Sequence, residues 1–405
     1  MARLARDLQP EPGLFQFSQT SFSMKKIIVL GAGLVGSAIA LDLAQRHDVT
    51  SADRSEEALS RLIRKGKVKT VRADLSKPDV IRELVADYDL VIGALPGFMG
   101  FKALRAVLEA GKNVVDISFF PEDPFELDEL ARERGVTAVV DCGVAPGLGN
   151  ILLGFYAARH VLYRFRCLVG GLPVVRHWPW QYRAVFSPAD VIEEYLRPAR
   201  FRQNGELVVK PALSDLELVE FDRVGTLEAF NTDGLRTLLR TMSTIPDMVE
   251  KTLRYPGTVE YLRVLKDSGF FSSEPLLVNG VPIRPVDYTS QVLFPQWKLK
   301  PGEADFTIMR IEIDSAFTRW QFDLLDYYDP KTDTISMART TGYTCSAVAN
   351  LLLEGKFTDP GINAPEHVGF YEECKEYVLE YLRQRNVPIH LTEFHRNSMG
   401  DEFTC

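Results

Sequence analysis

Three glycines and an aspartate carry the most specific chemistry in this sequence. Gly31, Gly33 and Gly36 fall in the G-x-G-x-x-G spacing, between the apolar run ending at Leu30 and an apolar-faced helix opening at Leu34 and Val35. Gly31 permits the tight turn, Gly33 lets a pyrophosphate approach the backbone, and Gly36 lets the helix pack close to the strand. Free N–H groups at the helix start favour phosphate. Asp53 follows about 20 residues after Gly33, at the end of the next apolar run, where a carboxylate accepts both ribose hydroxyls and repels a 2′-phosphate. The pattern predicts a dinucleotide site that prefers NAD. The adjacent Arg54 is the residue that can instead accommodate the phosphate of NADP or stack on adenine.

Groups able to handle a substrate lie in later loops. Asp116 and Ser118 end a buried run, and Ser118 can bond the nicotinamide ribose or carboxamide. Glu122 and Asp123 beyond them can reach a cationic substrate or cap the next helix. Asp141 ends the run that feeds Gly143–Asn150, a loop that reads as a ligand contact, a hinge or both. Asp141 is the candidate general base. Asn231 and Asp233 can hold a substrate amino group, or cap a helix. Arg254, with Arg236 second, can bind a carboxylate in bidentate fashion, or form a structural ion pair. No serine triad, P-loop or metal-ligand cluster is present, so no metal is expected and hydride transfer is the chemistry that remains.

These residues need a scaffold, and the first third of the chain supplies one. Strands are predicted near 26–30, 48–53, 67–72, 89–93, 112–117 and 136–141, with helices near 34–46, 56–65, 78–87, 100–110 and 125–134. Such alternation means a parallel sheet covered on both faces, with ligands at the carboxyl ends of its strands. The cofactor loops are then Gly31–Gly36, Asp53-Arg54, Asp74-Leu75, Ala94-Leu95-Pro96 and Ile117-Ser118. Strand-like runs dominate 160–335, at 163–169, 183–186, 206–209, 225–230, 251–255, 305–313 and 320–326, with helices near 188–196, 234–241 and 257–267. Amphipathic helices return at 342–354 and 366–385. The expected fold is α/β. A discontinuous Rossmann domain (24–145, completed by 338–387) carries an inserted α+β substrate and dimerisation domain (146–337). Residues 1–23 read as a disordered extension and 388–405 as a tail.

The 405 residues, 46% hydrophobic and 25% charged, fit an ordinary globular chain of two or three domains. A net charge of −8 opposes nonspecific nucleic-acid binding. The run 27–41 is too short and too rich in glycine to span a bilayer, so no membrane partner is expected. Five scattered cysteines without a C-x-x-C pair fit free thiols in a reducing, cytoplasmic setting. The inserted domain is expected to pair with itself in a two-fold homodimer.

The motifs V-L-G-A-G-L-V-G, V-D-I-S-F-F-P-E-D-P, D-C-G-V-A-P-G-L-G-N, V-G-G-L-P, E-A-F-N-T-D-G-L-R-T-L and K-T-L-R-Y-P-G, in this order, resemble the saccharopine dehydrogenase-like family across roughly residues 25–385. Within it the resemblance is to the lysine 6-dehydrogenase branch. It implies a bidomain fold, an amino-acid substrate and NAD-linked oxidative deamination of the L-lysine ε-amine. The product, 2-amino-6-oxohexanoate, then cyclises to piperideine-6-carboxylate. Saccharopine or carboxyalkyl-polyamine oxidoreduction, and a non-catalytic NAD sensor, are the alternatives. Where the saccharopine branch has G-L-D-P-G-I-D-H, this chain has Ala145 and Gly149 in place of the two acids. Phe119 and Val169 likewise replace a tyrosine and a cysteine, which lowers saccharopine as substrate.

Overall fold

The computed structural model describes residues 24–185, 188–300, 302–396 and 402–404; the expected 1–23 extension lies outside them. The chain first alternates strand and helix. Its elements are β1 (Lys26–Leu30), α1 (Leu34–Leu43), β2 (Asp48–Asp53), α2 (Glu56–Lys65), β3 (Lys69–Arg72), α3 (Pro78–Val85), β4 (Leu90–Gly93), α4 (Gly97–Glu109), β5 (Val114–Asp116), α5 (Asp128–Glu133), β6 (Thr137–Val139) and α6 (Leu148–Ala157). The second stretch runs β7 (Leu162–Pro173), α7 (Pro188–Leu196), β8 (Ala199–Gln203), β9 (Glu206–Lys210), β10 (Glu217–Phe221), β11 (Gly225–Asn231), α8 (Leu238–Thr241), β12 (Asp247–Arg254) and α9 (Thr258–Asp267). It continues with β13 (Leu276–Val278), β14 (Val281–Ile283), α10 (Pro285–Trp297), β15 (Asp305–Ser315) and β16 (Thr318–Tyr327). Last come α11 (Ser336–Leu353), β17 (Gly361–Asn363), α12 (Pro365–Gly369), α13 (Glu372–Gln384), β18 (Ile389–Arg396) and β19 (Glu402–Thr404).

The first sheet is parallel throughout, in the order β17-β6-β5-β4-β1-β2-β3. Ile27 to Leu30 are fully buried because helices cover both faces. Strand order reverses between β1 and β4, so the loops after these two strands part and leave a crevice. The second sheet is mixed, in the order β10-β11-β12-β7-β15-β16-β18-β19, with β8 joining β12 to β9. Only β12 and β7 run parallel in it; the other pairs are antiparallel. One apolar core runs continuously from Ile27 and Ile39 through Ile151 and Val348 to Ile311 and Phe322, so both sheets share it.

Several segments differ from the sequence reading, strands β8, β10, β13 and β14 among them. The 388–405 tail is in part strand: β18 pairs with β16, its alternation giving a sheet edge a ready partner. The helix expected over 234–241 shrinks to Leu238–Thr241, because Arg236 sits at φ 45° in the left-handed region. The strand expected at 183–186 reduces to one bridge between Ala184 and Lys298, and Phe186 lies outside the described residues. Helix α10, with Pro295 inside it, occupies a stretch for which no element was expected.

After the second sheet the chain returns to the first. β17 pairs with β6, and Asp42 of α1 accepts from the Tyr381 hydroxyl (2.7 Å) and the Arg385 Nε (2.6 Å). Helix α12 meets α6 backbone to backbone: a Cβ on Gly154 would collide with the Glu366 carbonyl, and one on Gly369 with the Ile151 carbonyl. Gly154→Ala is therefore expected to cost about 1–3 kcal/mol, seen as a lower midpoint in a thermal unfolding scan. An unchanged midpoint would show that this helix seam can open without cost.

Candidate active site

A cleft of about 500 Å³ lies between the glycine turn after β1 and the inner face of the second sheet. On its nucleotide side it is lined by Gly31, Gly33, Leu34, Val35, Gly36, Asp53, Ala94, Leu95, Pro96 and Ile117. The three glycines divide the work as their spacing implies. A Cβ on Gly31 (φ 116°) would strike the Ala94 carbonyl, and one on Gly36 would strike the Gly31 carbonyl. At Gly33 a Cβ would meet nothing within 4 Å, so the space beside its backbone is open. Gly33 caps α1 without any side-chain hydrogen bond, which leaves the helix-start N–H groups for a phosphate. Asp53 is held by the backbone N–H groups of Ala32 (2.8 Å, to Oδ2) and Ser55 (2.8 Å, to Oδ1), with its carboxylate at the cleft wall. This cradle fits a nicotinamide dinucleotide.

Four expected cofactor residues do not line the cleft. Arg54 is exposed, Asp74 is exposed and bonded to Ser76, and Leu75 is packed in the core. Ser118 is buried behind the wall, its hydroxyl unpartnered among the described residues.

The substrate side is a set of charges, most of them already matched. Asp141 (φ 52°) and Arg236 (φ 45°) form an ion pair at 2.8 Å, with side chains 1% and 6% exposed. Arg236 also donates to the Phe120 carbonyl (2.6 Å), so it serves this pair and does not line the cleft. Asp141 keeps one oxygen, Oδ1, without a protein partner among the described residues. Asp233 lines the cleft but is gripped at 2.8 Å by both Nε and a terminal nitrogen of Arg200. Arg254 also lines it, bonded to Glu194 (3.0 Å) and the Tyr195 hydroxyl (3.1 Å) and stacked on Tyr182, so its charge is spent inside the protein.

Besides Arg236, two candidates lie away from the cleft. Asn231 faces the opposite side of β11, donating to Asp215 (2.9 Å) and Ser214 (3.2 Å). Asp116 sits behind the wall, where burial above all pushes its carboxyl up to about 7. Asp123 takes the capping role, accepting from the Phe125 N–H (3.0 Å).

Sequence reasoning missed the residues that share faces with these. On β12, Glu250, Thr252 and Arg254 alternate onto the cleft side. Asp190, Glu194 and Arg197, spaced four and three apart along α7 and just past it, present one polar stripe. Both patterns were readable. Glu250 forms no hydrogen bond or ion pair with another described residue, and its carboxylate lies against the Gly234 backbone. Burial first, then the charges of Glu194 and Asp233, push its carboxyl up to about 8. Among the described residues no group of three or more His, Cys, Asp or Glu is placed to hold a metal, and no helix is long and apolar enough to cross a membrane.

Comparison with known proteins agrees with this architecture. Residues 27–139 match the saccharopine dehydrogenase NADP binding domain, and residues 143–387 match the saccharopine dehydrogenase C-terminal domain. The chain belongs to the saccharopine dehydrogenase family. Its cofactor is a nicotinamide dinucleotide. Alpha-aminoadipic semialdehyde synthase of Rattus norvegicus is 27% identical over 271 residues, covering 62% of this chain but only 29% of the rat protein. Carboxyaminopropylagmatine dehydrogenase of Synechocystis is 22% identical over 371 residues, covering 84% of this chain and 92% of that protein. The fold matches apo saccharopine dehydrogenase (L-Glu forming) from Saccharomyces cerevisiae with a TM-score of 0.72 at 19% identity, over 91% of this chain and 99% of the yeast chain.

The raised Glu250 carboxyl has a consequence for stability. Its ordinary value is 4.5 and its folded value about 8, so between these the folded state holds a proton that the unfolded state has lost. Stability from this group is therefore lost as pH rises through that window. Glu250→Gln should lessen the fall in thermal midpoint between about pH 5 and 9. Parallel curves for the variant and the unmodified protein would contradict the burial assigned to Glu250.

Proposed function

We propose that this chain catalyses the NAD-dependent oxidative deamination of the L-lysine ε-amine to 2-amino-6-oxohexanoate, which cyclises to piperideine-6-carboxylate. One observation carries the reading. Once the internal ion pairs are closed, two acceptors at the cleft wall have no donor among the described residues: the Glu250 carboxylate, and Asp141 Oδ1, which is buried at that wall. A cation with N–H groups to donate, such as an alkylammonium, satisfies both.

The glycine turn, Asp53 and the 94–96 loop would hold the dinucleotide, which when bound supplies the hydride acceptor. The residues of the chain do the rest. Lysine's ε-ammonium, with an ordinary pKa of about 10.4, must shed a proton before its carbon can be oxidised. Glu250 accepts that proton, since its own value of about 8 lies much closer to the amine's than that of an ordinary carboxyl. Asp141, ion-paired with Arg236, orients the nitrogen through Oδ1. Val144, Ala145 and Pro146 form an apolar stretch of the cleft wall. Loss of the hydride leaves an imine, which a water molecule hydrolyses to the aldehyde with release of ammonia.

A second reading is supported by the Synechocystis relative and by the acidic character of the cleft. It is oxidation of a carboxyalkylated polyamine, whose additional cations suit a cleft with an excess of carboxylates on its walls. NADH absorbance over a panel of L-lysine, saccharopine and carboxyaminopropylagmatine separates the two. Lysine is expected to give the highest kcat/KM, and a preference for either other substrate would displace the first reading.

With lysine, kcat/KM should rise with pH through the region near 8 where Glu250 ionises. Glu250→Gln should lower kcat by about 10²-fold or more and remove that limb, leaving dinucleotide affinity little changed. A variant with full activity and an unchanged profile would exclude Glu250 as the proton acceptor.

Asp53 places a fixed negative charge where a 2′-phosphate would sit. NAD should bind more tightly than NADP, and Asp53→Ala should weaken NAD by about tenfold and erase the preference. Tighter NADP binding by the unmodified protein would reverse the cofactor assignment.

A further inference from the structure

We propose that Arg197, just beyond the carboxyl end of α7, is the carboxylate anchor of the cleft and makes the protein select amines that also bear a carboxylate. This rests on the amine-oxidising reading above and goes past it to the substrate's other end.

Three guanidinium groups around the cleft are already engaged within the protein. Arg200 is held by both oxygens of Asp233. Arg236 is spent on Asp141 and the Phe120 carbonyl. Arg254 is spent on Glu194 and Tyr195. The Arg197 guanidinium is different: it lines the cleft and has no hydrogen bond or ion pair to another described residue. Only its backbone N–H is engaged, to the Glu193 carbonyl. Its flat group lies over the Phe119 ring, 5.0 Å from the centroid, and Arg236 lies 4.5 Å from the same ring.

A half-buried cation beside a second cation is an unfavourable arrangement. Burial, and then the Arg236 charge, pull the Arg197 pKa below its ordinary value. An anion from outside the protein relieves both penalties, and the planar fork matches a carboxylate. The dinucleotide phosphates are served elsewhere, at the open backbone of Gly33. Among the described residues, one unmatched guanidinium and one unmatched carboxylate, Glu250, on the walls of one cleft are complementary to a zwitterion: carboxylate at Arg197, amine at Glu250.

The test compares each carboxylated amine with its decarboxylated counterpart in the whole 405-residue chain. L-Lysine is set against 1,5-diaminopentane, using the unmodified chain, Arg197→Gln and Arg197→Lys. Arg197→Gln should raise the lysine KM by about tenfold or more with a much smaller change in kcat. The kcat/KM ratio of lysine to diamine should fall by about tenfold, and Arg197→Lys should restore part of it. NAD affinity, followed by fluorescence titration, should change by less than about twofold. Equal loss on both substrates, an unchanged lysine KM or weakened NAD binding would overturn the assignment. If the unmodified chain turns over saccharopine or a carboxyalkyl polyamine instead of lysine, the function reading fails separately. The same ratio, taken with that substrate and its decarboxylated form, then decides on Arg197, and its retention in Arg197→Gln overturns the proposal. No preference of the unmodified protein for the carboxylated member of any pair overturns it as well.

Discussion

The ion pair between Asp141 and Arg236 is the constraint around which the cleft is organised. It joins the loop after β6 to the segment between β11 and α8, and through the Phe120 carbonyl it fastens the loop after β5 as well. Both charges are almost fully removed from water, so removing either leaves the other unpaired at a cost of about 3–5 kcal/mol. Both residues also hold left-handed backbone conformations, disfavoured for arginine above all, so the pair stabilises two turns as well as two charges. For Asp116 and Glu250 burial is the main influence, and the pair adds smaller, opposed ones: the Asp141 charge raises each carboxyl and the Arg236 charge lowers it.

What distinguishes the wall of the cleft is the contrast between closed and open partners. Arg254 with Glu194, and Arg200 with Asp233, are complete within the protein and give the second sheet a rigid polar floor. Glu194 also accepts from the Thr252 hydroxyl (2.6 Å), which in turn meets Thr232 (3.0 Å). Such a floor loses little on reorganisation when a ligand arrives, and pre-organised donors and acceptors act more strongly than ones that must be gathered. The groups left without partners among the described residues, Glu250, Asp141 Oδ1 and Arg197, are then set apart by the fold.

The nucleotide half was legible because its information is local. Glycines 31, 33 and 36 act on a turn within a few residues of themselves, and Asp53 reaches back only to Ala32. The substrate half depends on pairings across long stretches of chain. Arg254 was visible as a strand-borne cation, yet its neutraliser Glu194 arrives from α7, and no feature near Arg254 announces it. Arg236 was visible, but its turn to Asp141 follows from a backbone conformation that a helical reading of 234–241 hides. Glu250 lay within reach, since the alternation E-K-T-L-R puts it on the same face as Arg254. Strand β18 was obscured because its polar alternation makes sense only beside β16.

The outermost strand of the first sheet, β17, comes from the far side of the second sheet in the chain, and its neighbour β6 precedes all of that sheet. During synthesis β6 must therefore wait, with one edge unpaired, while the ribosome delivers everything from β7 to α11. A nascent chain released early would carry an open parallel edge flanked by apolar Ala138 and Val139, a site for pairing with the wrong strand. Closure of the nucleotide-binding half is thus a late event in the life of each molecule. Its rate is set by bringing together segments far apart in sequence, and not by the glycine turn at the other end of the same sheet.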